Sequence, residues 1–210
     1  MDKQYQQLIE LGKYLVKYGY ARGSAGNLSV RLDDGNILVT PTNSHLGALV
    51  SEELSLISID GEHLAGKKPS KEFPFHISVY CKSEESNCVI HLHSTYLTAL
   101  SCIKGLDPKN VIQAFTPYVV MKVGDLPLVP YYKPGAIEIA EEIEKLARNH
   151  SAFLLANHGI VISGPELWGT CYSFEELEET ARLYFLLKEH DVQYINETEL
   201  QKLKKMKKNG

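Results

Sequence analysis

Residues 27–41 read NLSVRLDDGNILVTP, and their pattern decides what kind of sheet this chain builds. Leu28, Val30 and Leu32 alternate with Ser29 and Arg31, the two-residue period of a strand with one buried face. Asp34-Gly35 follows, a pair suited to the left-handed backbone of a tight turn, and NILVTP then resumes an apolar run. The spacing predicts a β-hairpin, which makes the sheet at least partly antiparallel. Residues 54–60, LSLISID, predict another strand, stopped by a second Asp-Gly turn at Asp60-Gly61.

Before the hairpin, Leu8, Leu11, Leu15 and Tyr18 recur at helical intervals over residues 3–18, and Gly19 ends the pattern. After it, Ser70 is a candidate cap for a helix reaching about Ser83. CVIHLH (88–93) has the apolar character of a buried strand, and Ser94 is placed to cap a helix that Gly105 ends. VVMKV (119–123) and LPLVPYY (126–132) predict strands. Ile139, Ala140, Ile143, Leu146 and Ala147 mark a helix, AFLLANHG and IVISG a strand pair, and residues 166–190 a long closing helix. Helices mixed with adjacent hairpins predict an α/β domain whose sheet is covered by helices on its faces. With no repeat and no linker, residues 1–210 are expected to form one domain.

Composition narrows the function classes. The chain is 44% hydrophobic and 23% charged with a formal charge of −4, which argues against nucleic acid as a partner. Its basic run, KLKKMKK (202–208), fits a solvated helix end. No segment approaches the ~20 apolar residues of a membrane span, and the amphipathic start lacks the apolar centre of a secretion signal, so a cytoplasmic protein without membrane contact is expected. Cys81, Cys88, Cys102 and Cys171 form no paired spacing and lie beside apolar residues, so they are expected to be buried free thiols. The sequons at Asn27 and Asn196 then carry no glycan, and the dinucleotide and P-loop glycine fingerprints are absent.

The chemistry-bearing residues come in pieces. His91-Leu92-His93 puts two imidazoles on one face of a strand, a ready pair of nitrogen ligands, although H-x-H pairs also occur as plain hydrogen-bonded histidines. Asn157-His158-Gly159 ends an apolar strand at a glycine turn, on the rim where sites are built. Glu72, in KPSKEFPFH, falls in the first turn of a helix, where a carboxylate is also simply dipole-favoured. His76, one turn later, either orients Glu72 or packs against the strand; packing is the simpler expectation. GSAGN (23–27), PTN (41–43) and Ser70-Lys71 are loops rich in backbone donors, hydroxyls and amides that suit an anion.

In combination these pieces resemble the class II aldolase family, over residues 8 to about 190, through GSAGNLS, PSKE, HLH and NHG. Within it the chain is similar to a decarboxylase branch, bacterial enzymes acting on 3-oxo-tetronate 4-phosphates, through PTNSHLG, HLHSTYLTALSC, FTPYVVMKVGDLPLVPYYKPG and EELEETA. The resemblance implies a three-layer α/β/α sandwich with a largely antiparallel central sheet. It also implies a homotetramer with one divalent metal per subunit, usually Zn2+, and a phosphorylated sugar acid as substrate. By position it makes His91, His93 and His158 the metal ligands and Glu72 the acid/base that also reaches the metal. Gly26, Asn27, Thr42, Asn43, Ser70 and Lys71 become the phosphate site, and Tyr118 a catalytic tyrosine. Lys71 and Asn43 replace the Ser and Gly of the family's aldolases, and the epimerases carry Asp at the position of Glu72. The aldolases' C-terminal tyrosine has no aligned counterpart, Tyr194 being the nearest candidate. The implied activity is decarboxylation through a zinc-stabilised enediolate; the alternatives are a ketose 1-phosphate aldolase and a non-catalytic adducin-like binding module.

Overall fold

The computed structural model describes residues 2–208. Helix α1 (Asp2–Lys17) leads into the hairpin β1 (Asn27–Arg31) and β2 (Ile37–Val39), then β3 (Ser55–Ile57) and β4 (His63–Ala65). Next come α2 (Phe73–Lys82), β5 (Cys88–Leu92), α3 (Thr95–Ser101) and α4 (Pro117–Lys122). The order then runs β6 (Leu128–Val129), α5 (Ile137–Leu146), β7 (Ala152–Leu155), β8 (Gly159–Gly164), α6 (Leu167–Leu187) and α7 (Glu197–Lys208). Eight strands form one mixed sheet in the order β4-β3-β2-β1-β5-β8-β7-β6. Every pairing is antiparallel except the short parallel contact of β6 with β7.

The alternation predicted from the hairpin appears in the core. Leu28, Val30, Leu38, Ile90, Leu92, Leu154, Ile160 and Ile162 pack with apolar residues of α1, α3, α4 and α6. The intervening Ile37, Val39, Val89, Phe153, Leu155 and Val161 pack with Phe75, Val79 and Tyr80 of α2 and with α5. β5 is buried along its whole length, being central in the sheet and covered on both faces. Among the described residues, no helix is long and apolar enough to cross a membrane.

Several local expectations are corrected. VVMKV is helical, not extended: Pro117 occupies the first turn of α4, where its fixed φ suits a helix. Burial at Val119, Val120 and Val123 has a helical spacing that overrides the β preference of valine. Of LPLVPYY only Leu128–Val129 is strand. α2 starts at Phe73 rather than directly behind Ser70, whose hydroxyl instead accepts from the backbone N–H of Glu72 (3.3 Å). Cys81 and Cys102 are exposed; only Cys88 and Cys171 are buried, where loss of solvent pushes each thiol up to about 12.

Ser94 stands at the N-cap of α3, but its side chain does not cap. The buried carboxylate of Glu178, reaching across from α6, accepts from the backbone N–H groups of Tyr96 (2.8 Å) and Leu97 (3.0 Å) and from Ser94 Oγ (2.7 Å). It satisfies the free donors of the helix that follows His93. Glu178→Ala is therefore expected to lower unfolding stability by about 2–3 kcal/mol in urea titration, since it strands buried donors; a loss below about 0.5 kcal/mol would contradict this capping role.

Candidate metal centre

β5 lies between β1 and β8, with His91 opposite Asn27 on one side and Val161 on the other. Because side chains alternate, His91 shares the face of Val89, and its ring meets Phe75 edge-on (5.4 Å). His93 follows just beyond the strand end, and His158 sits in the turn between β7 and β8. The three rings lie 4.8–4.9 Å apart, centroid to centroid, and their candidate ligand atoms fall within 4.8 Å of one another.

Close backbone approach makes this convergence possible. Gly26 has a positive φ of 85°, and a Cβ there would lie 2.7 Å from the carbonyl oxygen of His91. A Cβ on Gly159 would lie 2.3 Å from the carbonyl oxygen of Leu92 and 3.1 Å from the His93 ring. Glycines on both flanks thus let the neighbouring strands close on the segment that carries the histidines. Ser101, at the end of α3, holds the His158 turn: its carbonyl accepts from Asn157 N–H (3.0 Å) and its hydroxyl from His158 N–H (3.2 Å). Asn157 supplies the turn's left-handed residue, with φ 54°.

Glu72 closes the group. It occupies the N-cap position of α2 without capping that helix, and its side chain is buried beside the imidazoles, 8% exposed. Oε2 lies 3.4 Å from His91 Nε2, and Oε1 lies 3.3 Å from His158 Nε2. Asn27 Nδ2 donates to Oε2 at 2.8 Å. The loop bearing Glu72 is pinned to the end of the hairpin by a bridge between Pro41 and Pro69, with Ser70 N–H donating to Thr40 O (3.2 Å) and Thr42 N–H to Lys68 O (3.0 Å).

The donor set fits a divalent cation. His91 Nδ1 donates to the carbonyl of Ile160 (2.9 Å), which leaves the Nε2 lone pair facing the centre, as in histidines that bind a metal through Nε2. His91 Nε2 and His93 Nε2 are 3.0 Å apart, close to the roughly 3.3 Å separating two nitrogens bound at about 2.0–2.1 Å to tetrahedral zinc. Both ring nitrogens of His158 are buried without a hydrogen bond; the nearby Glu72 oxygen is poorly aligned for one. Buried nitrogens left open in this way are expected where an ion completes them.

Electrostatics prepare the group for the same role. Burial holds His91 down to about 3, against the opposing pull of Glu72, so its imidazole stays neutral. His93 is lowered by burial and by His158 beside it. For Glu72 burial acts upward, but His158, His91 and the Asn27 hydrogen bond together outweigh it and keep the carboxyl ionised, far below its usual range.

A cavity of about 240 Å3 opens from this corner. Gly26, Asn27, Thr42, Asn43, Ser70 and Lys71 line it together with Glu72, His93, His158, Ser24, Ala25 and Pro134. Asn27 enters mainly as support, since both ends of its amide are engaged by Glu72 and His76. Asn43 carries a positive φ of 57°, and the stem of Lys71 packs on Gly135. Tyr118 lies elsewhere, 58% exposed on α4. Tyr194 packs against Phe115 with the rings tilted and lines a separate cleft of about 460 Å3 that contains none of the histidines. The larger clefts lack this chemistry, so side-chain type rather than volume selects the site. Ser101, Glu178 and the Ile160 carbonyl went unmarked in the sequence because their roles depend on long-range contact.

Residues 6–185 match the family described as Class II Aldolase and Adducin N-terminal domain. The chain is 50% identical to the 3-oxo-tetronate 4-phosphate decarboxylase of Haemophilus influenzae over 200 residues, 95% of each chain. It is 36% identical to the L-fuculose phosphate aldolase of Methanocaldococcus jannaschii, covering 89% of this chain and 97% of that one. The crystal structure of YgbL from Klebsiella pneumoniae superposes with a TM-score of 0.95 at 50% identity, covering 96% of this chain and 98% of that one.

The buried titratable groups set the acid limit of the metal-free protein. His76 and His91 are held near 3 by burial but titrate near 6.5 when unfolded, so the unfolded state alone binds their protons between those values. Glu72, lowered in the fold, acts in the same sense, its contribution being present above about 4.5 and lost as pH falls. The melting temperature of chelator-treated protein should therefore drop steadily from about pH 6.5 to 3, with roughly two protons taken up on unfolding near pH 5. A melting temperature constant across that range would refute the assignment.

Proposed function

The chain belongs to the class II aldolase and adducin family, and on that premise we propose that it is a lyase which decarboxylates a 3-oxo-tetronate 4-phosphate. The products are dihydroxyacetone phosphate and CO2. What carries the reading is the convergence of His91, His93, His158 and Glu72 at one end of a cavity whose walls hold an anion-binding loop set. The half-identity to decarboxylases along nearly the full length selects the reaction.

His91, His93 and His158 would hold the cation through neutral imidazole nitrogens, with Glu72 within reach as a fourth ligand at rest. A zinc ion bound there supplies Lewis-acid stabilisation of negative charge on adjacent substrate oxygens. The backbone donors of Gly26 and Asn43 and the side chains of Thr42, Ser70 and Lys71 bind the phosphate. Asn27 enters that group by position and acts chiefly through Glu72.

Loss of C1 as CO2 leaves the bonding pair across C2 and C3 as an enediolate. Glu72, ionised at rest, accepts the C2 hydroxyl proton and returns it to C2 once C1 has departed. The C2 oxygen then takes a proton from solvent, so one proton is consumed per turnover. Burial of the carboxylate excludes water from this exchange. Tyr118 is the second proton donor we consider; with its ring exposed on α4, it would serve from a neighbouring subunit. We accordingly read the assembly as a homotetramer of single-domain chains, each a three-layer α/β/α sandwich, working in the cytoplasm.

Incubation with 3-oxo-tetronate 4-phosphate should release CO2 and dihydroxyacetone phosphate in equal amounts from protein carrying about one divalent cation per chain. Cleavage of a ketose 1-phosphate to dihydroxyacetone phosphate and an aldehyde, with no CO2 from the acid, would overturn the reading in favour of an aldolase.

Lys71 adds a positive charge suited to a substrate bearing both phosphate and carboxylate. Lys71→Ser should lower kcat/KM for the acid substrate roughly 10- to 100-fold, the weight of a hydrogen bond to a charged group. An unchanged kcat/KM would remove Lys71 from substrate recognition.

A further inference from the structure

A buried file of side chains runs from Glu72 into the seam between β1 and α2. Asn27 Nδ2 donates to Glu72 Oε2 (2.8 Å), and the other end of that amide, Oδ1, lies 2.5 Å from His76 Nε2. His76 Nδ1 is 2.7 Å from Ser29 Oγ, which is 2.7 Å from the phenol oxygen of Tyr80. All five residues are buried. The file follows from two periods set side by side: Asn27 and Ser29 share a strand face, while Glu72, His76 and Tyr80 recur every four residues through α2.

The direction of every hydrogen bond in the file follows from its first member. An ionised carboxylate only accepts, so Asn27 must present its NH2 group to Glu72 and its carbonyl to His76. A carbonyl also only accepts, so His76 must carry its proton on Nε2. The lone pair left on Nδ1 is met by the Ser29 hydroxyl, whose oxygen in turn accepts from Tyr80. In the reverse order the Asn27 carbonyl would face the carboxylate, acceptor against acceptor. An amide cannot pass a proton through itself without becoming an imidic acid, so the file orients Glu72 and does not conduct protons to it.

We propose that His76 is a positioning residue for Glu72, its Nε2–H locking the Asn27 amide in the orientation that holds the carboxylate against His91 and His158. This rests on the reading of Glu72 as the acid/base group. Ser29 and Tyr80 are the outer half of the same lock.

The test combines long-range 15N–1H NMR of the metal-free protein with kinetics and metal analysis of variants. His76 should be present as the Nε2–H tautomer alone. His76→Phe, which fills the space without a donor, should lower kcat about 10- to 100-fold, with KM and metal content within about twofold of wild type. His76→Gln, which restores a donor toward Asn27, should recover most of the loss. A His76 proton on Nδ1, or an unchanged kcat in folded, metal-loaded His76→Phe, would overturn the proposal. If His76→Phe does not fold, the wild-type tautomer decides: a proton on Nε2 alone supports the lock, and any Nδ1–H population refutes it. Full activity in Glu72→Gln would instead defeat the acid/base reading itself, whereas inactive Glu72→Gln beside unimpaired His76→Phe would defeat only the positioning role.

Discussion

An ionised carboxylate with almost no solvent around it is the constraint on which this molecule turns. Burying such a charge is costly unless hydrogen bonds and opposite charge compensate it locally. Glu72 receives one hydrogen bond from Asn27 and lies within 3.4 Å of His91 and His158, and burial keeps the His91 imidazole neutral in the absence of an ion. The corner thus gathers a negative charge, open imidazole nitrogens and no buried cation of its own. A divalent cation resolves that imbalance, so the resting geometry already has the shape of a metal centre.

Holding the corner in place draws on distant parts of the chain. Gly26 and Gly159 let β1 and β8 close on β5, Ser101 fastens the His158 turn, and Glu178 caps the helix that begins two residues after His93. None of these residues need touch a substrate. They keep the candidate ligands, drawn from three separate segments, at the spacing an ion requires, which a single flexible loop could not do.

The same geometry explains why relatives of this chain bear the names of decarboxylases and aldolases alike. Both reactions leave an electron pair across two oxygen-bearing carbons, a state that a cation held by the three histidines would stabilise. The cavity wall also carries Lys71, packed along Gly135, and Asn43, with its left-handed backbone.

The hairpin, the buried strand bearing His91, the glycine turn bearing His158 and the amphipathic stripe of α1 were legible in residue order, because each depends on local periodicity and turn chemistry. That reasoning failed at VVMKV, where a proline at the helix start and packing against the core outweighed β-branched side chains. It also failed at Ser70 and Ser94, whose expected capping roles are displaced by Glu72's position and by Glu178 from another helix. Sequence alone thus determined which residue types were available and which strand face carried them. Tertiary structure alone decided that Asn27 serves Glu72, that His76 directs Asn27 and that Tyr118 stands away from its own histidines. Those facts rest on hydrogen bonds and contacts between segments tens of residues apart, and no local pattern encodes their geometry.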